Sequence, residues 1–361
     1  MEIFYIVLIV LLFGFILFAA LFYKRYKINL INLSKPINYV KTYKIRKNLS
    51  KDEKYLEPIK IQTFDGSGST THPYVMFFKK PFNNYQYYLA HTPYDNHNVE
   101  FENPSLAVSN DGFNFVKPNA ISDPLLPIIK RQPKLKKPKF YNDNFLFYEN
   151  NALQVWYRYT EEDKTGKKLI AKSRLYRIVS KDGVNFSEPE LMIDYSDIWY
   201  LSPSLIKIKG TYYLYYFDQD LNCYVKTSPD LKIWSEPKIV RMKGLTNKCW
   251  HGEVKLIDDK IYLLLTTRDY KLYFCETDTN SPLQFDKCNK LNLTYYDKRC
   301  IYGNAHLYKS SFIIKNGYIE LYIPYAVNAI NYFKIRGIRH IHWTMTYTKL
   351  KLSTFKKLFL H

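Results

Sequence analysis

"PSLIKIKGTYYLYYF", residues 203–217, joins a short apolar run to a Tyr-rich run through a tight Lys-Gly turn. Glycine supplies the left-handed backbone that such turns need, and Tyr, Phe and Ile fit a half-buried pleated surface. The stretch therefore predicts a β-hairpin. The same unit returns as "GEVKLIDDKIYLLLTT" (252–267) and "SSFIIKNGYIELYIPYA" (310–326), with Asp-Asp and Asn-Gly at the turns. "HPYVMFFKKPFNNYQYYLAHT" (72–92) is an earlier copy, and "PKFYNDNFLFYENNALQVWYRYT" (138–160) a longer one with an insertion. Five copies recur about 50 to 70 residues apart, the spacing of propeller blades.

Between these hairpins lies a second repeat. "SNDGFNF" (109–115) and "SKDGVNF" (180–186) are near copies, "SPDLKIW" (228–234) is weaker, and "DTNSPLQF" (278–285) is looser still. Each reads as a polar turn before an aromatic that opens a strand. Four strands per unit and five units predict an all-β, five-bladed β-propeller over residues 61–352, with a tail at 353–361. A two-sheet sandwich is the alternative, which the period disfavours.

Composition agrees. Tyr (35) and Phe (23) outnumber Gly (12), and a chain of 361 residues has room for a large core. The net charge of +20 raises nucleic-acid binding, but the lysines are spread along the whole chain without a recognition motif. No nucleic-acid partner is expected. Five cysteines, Cys223, Cys249, Cys275, Cys288 and Cys300, show no Cys-x-x-Cys spacing, so the reading is free buried thiols in a reducing compartment. No metal and no cofactor are called for.

Ahead of the repeats, "MEIFYIVLIVLLFGFILFAALFY" (1–23) has one charge, Glu2, and then about 20 apolar residues, enough to span a bilayer as a helix. It lacks the basic start of a cleavable signal, so an uncleaved anchor is expected. Residues 24–54 then hold ten Lys/Arg against Asp52 and Glu53. Residues 24–60 read as a basic linker against anionic headgroups, and the positive-inside rule leans the body towards the cytoplasm.

Blade geometry assigns residues to faces. The starts of all inner strands and the loops after the second strands share one face, while the hairpin and Asp-Gly turns share the other. The first face collects His72, Glu102, Arg158, Asp197, Trp199, Trp250, His251, Glu253, Arg268 and His306. A channel mouth of carboxylates, His, Arg and Trp suits a carbohydrate, whose apolar faces stack on indoles and whose hydroxyls meet charged groups. Glycoside hydrolysis needs two carboxyl groups, one with a raised pKa. Glu253 beside Trp250 is the candidate acid, with Glu102 or Asp197 as base or nucleophile. His72, Arg158, Trp199, Trp250, His251, Arg268 and His306 are the candidate sugar-binding residues.

The segments "GSGSTTHPYVMFF", "FENPSLAVSNDGFNF", "LSPSLIKIKGTYYLYYF", "WHGEVKLIDDKIYLLL" and "KSSFIIKNGYIELYI" resemble the five-bladed propeller glycoside hydrolases of families 43 and 32 across about residues 65–350. The resemblance implies the fold, a carbohydrate ligand and an Asp at the start of the first inner strand. Here that position reads His72-Pro73. The second blade offers Lys137 or Lys139, and the third Ser202 and Ser204. The resemblance then implies a carboxylate set rearranged around Glu102, Asp197 and Glu253, or a propeller that has lost hydrolysis. A membrane-anchored glycosidase-like enzyme of envelope glycans is the leading expectation. A non-catalytic carbohydrate-binding scaffold is the alternative, and a binder of anionic lipid or nucleic acid a weaker one.

Overall fold

The computed structural model describes residues 2–26, 34–129, 139–165, 168–196, 199–294, 306–327 and 341–360. Its body is a five-bladed β-propeller. The inner strands are Thr70–Phe82, Lys139–Glu149, Leu201–Ile208, Cys249–Ile257 and Ser311–Lys315. Each pairs antiparallel with a second strand, respectively Tyr85–Pro93, Ala152–Thr165, Thr211–Phe217, Lys260–Thr267 and Tyr318–Val327. The hairpins of the sequence repeat are thus the inner halves of the blades.

The Asp-Gly repeats make one recurring turn. Asp111 Oδ1 accepts from the amides of Phe113 and Asn114 at 2.8 Å, and Ser109 Oγ accepts from Gly112 N at 3.0 Å. Asp182 and Ser180 repeat this at 2.8–2.9 Å. Gly112 has φ +72°, and an added Cβ would lie 2.6 Å from the Tyr87 ring. In the weaker copy Leu231 takes the same left-handed backbone, φ 65°, with its amide on Ser228 Oγ.

Blades pack face to face through apolar and aromatic side chains, which explains the Tyr- and Phe-rich composition. Tyr74 of the first blade meets Phe145 of the second with ring centroids 6.0 Å apart, and Phe274 of the fourth meets Phe312 of the fifth at 5.5 Å.

The fifth blade closes the ring with both ends of the body. Its outermost strand is Lys54–Pro58, paired antiparallel with His342–Lys351. The propeller therefore begins inside the stretch read as linker. Leu352–Phe359 forms a helix whose Phe355 and Phe359 are buried, so the tail is part of the packed body.

Two further helices precede the ring. Helix α1 (Glu2–Tyr26) exposes its side chains throughout 2–18, and α2 (Ser34–Lys47) docks on the fifth blade. The C-terminal helix Leu352–Phe359 is α3. Among the described residues no helix is long and apolar enough to cross a membrane.

The cysteine reading needs correction. Cys275 and Cys288 face each other on neighbouring strands and are disulfide-bonded, whereas Cys223 and Cys249 are free and buried. Cys300 lies outside the described residues.

Candidate active site

The mouth of the channel is built by a backbone device repeated around the ring. His72, Asp143, Ser202, His251 and Lys309 stand two residues before Tyr74, Phe145, Ser204, Glu253 and Ser311. Those five pair in register with Ala90, Trp156, Tyr215, Leu264 and Tyr322. The first five hence occupy one position, once per blade. In the first three blades a β-bulge sets two residues against one there. His72, Asp143 and Ser202 adopt φ 49°, 49° and 48°. Left-handed backbone costs a non-glycine residue on the order of 1 kcal/mol. Bulges of this kind re-aim side chains beside active sites.

The re-aimed side chains converge. Asp143 is fully buried, and its Oδ2 meets Arg158 Nη2 at 2.7 Å. Its Oδ1 faces His72 Nε2 at 3.7 Å and His251 Nδ1 at 3.8 Å. Arg158 is held in turn by Asn142 Oδ1 (2.9 Å) and the Trp199 carbonyl (2.7 Å). Burial alone would raise the pKa of Asp143. Arg158 first, then His72, Lys309 and His251, outweigh that and hold the carboxyl well below the usual range. Burial lowers His72 to about 4 and His251 well below its ordinary value, so both rings are neutral near pH 7. Lys309 is lowered by burial, against the opposing pull of Asp143 and Glu253.

Hydrogen bonds fix the imidazole tautomers. Ser202 Oγ donates to Asp143 Oδ1 at 3.4 Å and so accepts from His251 Nδ1 at 2.7 Å. Thr92 Oγ1 donates to the Thr71 carbonyl and so accepts from His72 Nδ1 at 3.0 Å. Both rings then present an unprotonated Nε2, and neither Nε2 has a hydrogen-bond partner among the described residues. A buried lone pair without a donor is costly.

His72, Asp143 and His251 form a group whose ligand atoms lie within 4.8 Å of one another. The 3.7 Å separation of His72 Nε2 from Asp143 Oδ1 exceeds hydrogen-bond length. Two ligands each about 2.1 Å from one tetrahedral ion stand about 3.4 Å apart, so these residues fit a divalent cation. Nδ1 bonds to Ser202 and Thr92 would orient the rings, as outer groups do in metal centres. This set was not foreseen in the sequence, where no metal was expected.

Around it lies a cavity of about 140 Å³ lined by Tyr94, Glu102, Thr160, Trp199, Trp250 and Tyr308 together with His72, Asp143, Arg158 and His251. The Tyr308 ring lies 4.5 Å from His251 and 5.4 Å from Trp250. Glu102 is 5% exposed. Of the expected site residues, the structure brings His72, Glu102, Arg158, Trp199, Trp250 and His251 into this one cavity.

The others go elsewhere. Glu253 is fully buried but does not line the cavity: two residues along the strand from His251, it sits about 6.6 Å deeper. Its Oε1 meets Lys255 Nζ at 2.7 Å and Ser311 Oγ at 2.9 Å. Burial raises its pKa, while Lys255, Ser311 and Lys309 pull it down. Arg268 is exposed, away from the cavity, and His306 packs on Tyr270 at 4.3 Å. Asp197 lies outside the described residues. The second blade's ring position holds Asp143 rather than Lys139, which is paired with Glu161 at 2.8 Å, or Lys137, outside the described residues. The polar triplet Asn142-Asp143-Asn144 inside a strand was the available signal. Tyr308 falls on the mouth face by its place in the repeat, whereas Thr160 and Lys309 carried no signal.

No family model matches the chain. A stretch of 132 residues, 36% of this chain, is 28% identical to the A type blood N-acetyl-α-D-galactosamine deacetylase of Flavonifractor plautii, and spans 16% of that protein. In three dimensions the chain is similar to an N-acetylgalactosamine deacetylase of F. plautii solved with blood group B trisaccharide. The TM-score is 0.65 at 16% identity, over 85% of this chain and 97% of that one. It is similar too to a xylan β-1,4-xylosidase of Bacillus halodurans C-125, with TM-score 0.58 and 14% identity over 82% and 54% of the chains. A family-32 β-fructofuranosidase of Bombyx mori gives TM-score 0.52 and 14% identity over 88% and 67%. These likenesses show the five-bladed propeller fold, shared with carbohydrate-active enzymes.

Proposed function

We propose that the chain is a carbohydrate-active hydrolase that removes an acyl group from an N-acylated sugar. The observation that carries this reading is the buried His72–Asp143–His251 group with two unprotonated Nε2 atoms at the floor of the mouth. A divalent cation bound there would polarise the acyl carbonyl and acidify a water. Arg158 keeps Asp143 ionised and turned towards the histidines. Trp199 and Trp250 offer faces for the sugar ring, and Glu102 is the lining carboxylate placed to take a proton from water or hand one to the departing amine. The local likeness to a sugar deacetylase supports the same reading.

Glycoside hydrolysis is the second reading, supported by the shared fold. It requires a proton-donating carboxyl group beside the bond. Glu253 lies below the cavity, and Asp143 is held ionised, so this reading falls to Glu102 with Asp197. Product analysis separates the two. Incubation with N-acetylhexosamine-containing oligosaccharides and a divalent metal should release acetate, and His72→Ala should stop it. New reducing ends without acetate would establish the glycosidase instead, and binding without either product the carbohydrate-binding scaffold.

We further propose that α1 is a single-pass anchor, on the strength of its exposed apolar surface and the about 20 apolar residues of its sequence. A role on envelope glycans follows from that placement. The basic run after α1 favours a cytoplasmic body, and the Cys275–Cys288 bond weighs against it. A C-terminal reporter active only outside the cytoplasm would overturn the cytoplasmic assignment by giving signal.

A further inference from the structure

We infer that the hairpin end of the fifth blade, led by α2 and α3, rests on an anionic bilayer surface, so that the cavity mouth opens away from the membrane. The inference builds on the anchor reading of α1 and adds an orientation and a contact surface to it.

The two ends of the propeller are distinguishable by sequence position. The mouth lies where inner strands begin, and the hairpins at Asn83-Asn84, Lys209-Gly210 and Asn316-Gly317 mark the opposite end. Helix α3 is pinned there, for Leu352 N donates to the Gly317 carbonyl at 2.8 Å. Helix α2 lies along the outer edge of the fifth blade, with its C-terminal turn towards that end. Arg46 donates to the carbonyls of Tyr55 and Leu56 at 3.0–3.1 Å, where the closing strand starts. Thr42 Oγ1 bonds the Thr294 carbonyl at 3.3 Å, and Tyr55 stacks on Phe359 of α3 at 6.2 Å.

Fixing these groups decides which face of α2 points outward. Thr42 and Ile45 face the blade. Tyr39, Val40 and Tyr43 are 51%, 47% and 56% exposed, and the two tyrosine rings stack at 6.5 Å, one turn apart. Exposed lysines flank them at 41, 44 and 47, and α3 turns Lys356 and Lys357 outward. An exposed strip of tyrosine and valine between lysines is costly in water. It matches the headgroup region, where phenol rings sit at the boundary and ammonium groups meet phosphates. Three nearby carboxylates, Asp52, Glu53 and Glu57, are outnumbered by the exposed lysines at 41, 44, 47, 356 and 357. Glu57 pairs with Arg46 at 3.4 Å, and Glu53 accepts from Ser50 and from Lys351 N. Elsewhere on the body, exposed large apolar side chains such as Val116, Leu191 and Ile233 stand singly. Helix α2 also follows α1 closely in the chain, which confines it to the membrane surface once α1 is inserted.

The consequence for the reaction is that a headgroup sugar of the same leaflet cannot reach the mouth without leaving the bilayer. The substrate is a glycan that extends into the aqueous phase.

The test uses the full chain reconstituted into vesicles of phosphatidylcholine alone or mixed with phosphatidylglycerol. An environment-sensitive fluorophore is placed at Tyr43→Cys or, on the mouth rim, at Asn247→Cys, and the lipids carry a headgroup quencher. The label at 43 should be quenched in the mixed vesicles, and the label at 247 should not. Joint reversal of Lys41, Lys44 and Lys47 to Glu should remove the quenching. Equal quenching at both positions, or none at 43 in protein that stays with the vesicles through an alkaline carbonate wash, overturns the orientation. Release by carbonate with quenching at 43 retained would remove the anchor and leave the docking surface standing.

Discussion

Two rings of the same channel, one residue pair apart, have opposite characters. The upper ring, His72, Asp143, Ser202, His251 and Lys309, is polar, and three of its members have left-handed backbone at bulges. The lower ring, Tyr74, Phe145, Ser204, Glu253 and Ser311, follows regular strand register; Tyr74 and Phe145 pack on each other, and Glu253 and Ser311 are bonded to each other. Both rings hold a buried carboxylate. Arg158 leaves one oxygen of Asp143 facing two neutral histidines in an open cavity, whereas Glu253 is closed in by Lys255 and Ser311. Burial and ionisability do not by themselves mark a catalytic group. Access does, and here it is granted by one extra residue in a strand.

The sharpest way to break this contrast is Asp143→Asn. It keeps the shape and removes the charge that holds the ring, and deacylation should fall on the order of 10³-fold in steady-state assays. Retained turnover would move the chemistry elsewhere. Next comes Glu253→Gln, which leaves Lys255 buried without its ion partner. We expect a loss of about 3–5 kcal/mol in denaturant unfolding, with kcat unchanged in the folded fraction. Abolished turnover in well-folded protein would return Glu253 to the role first expected of it.

A third test is titration. Burial lowers His72 from its ordinary 6.5 to about 4. Between those values the unfolded chain binds a proton that the folded chain does not, so stability falls as pH drops through the window. The loss is on the order of 3 kcal/mol, and His72→Gln should flatten that part of a Tm-against-pH curve. The smallest effect is expected at Arg268→Ala, an exposed position off the cavity. Stability should change by less than about 0.5 kcal/mol and sugar binding not at all. A clear rise in Kd would extend the site outward to that residue.

What could be read from the sequence follows the same division. "SNDGFNF" and "SKDGVNF" announce their turns because Ser, Asp and Gly satisfy one another within five residues. The His72-Pro73 position was legible as the start of a blade by its place in the repeat. Asp143 was not. In "KFYNDNF" a strict two-residue alternation gives no reason to prefer Asp143 over its neighbours. Only the bulge against Arg158 and Trp156 on the second strand aims it at the axis. Glu253 was misplaced for the converse reason, since a strand that starts at the mouth carries its later residues away from it. The Cys275–Cys288 pair escaped notice because its closeness comes from strand register, 13 residues apart in the chain, and leaves no spacing motif.

The closing strand has one more consequence, for the order of events in time. Lys54–Pro58 completes the fifth blade against His342–Lys351, so the contact that shuts the ring joins nearly the first and the last parts of the body to be synthesised. Contacts so remote in sequence form slowly. While the ribosome makes the intervening four blades, the early strand waits with an open edge, a template for wrong pairing. With α1 inserted as proposed, its neighbour α2 would spend that interval on the lipid surface. The membrane would then act as a holding place for the strand until its partner emerges.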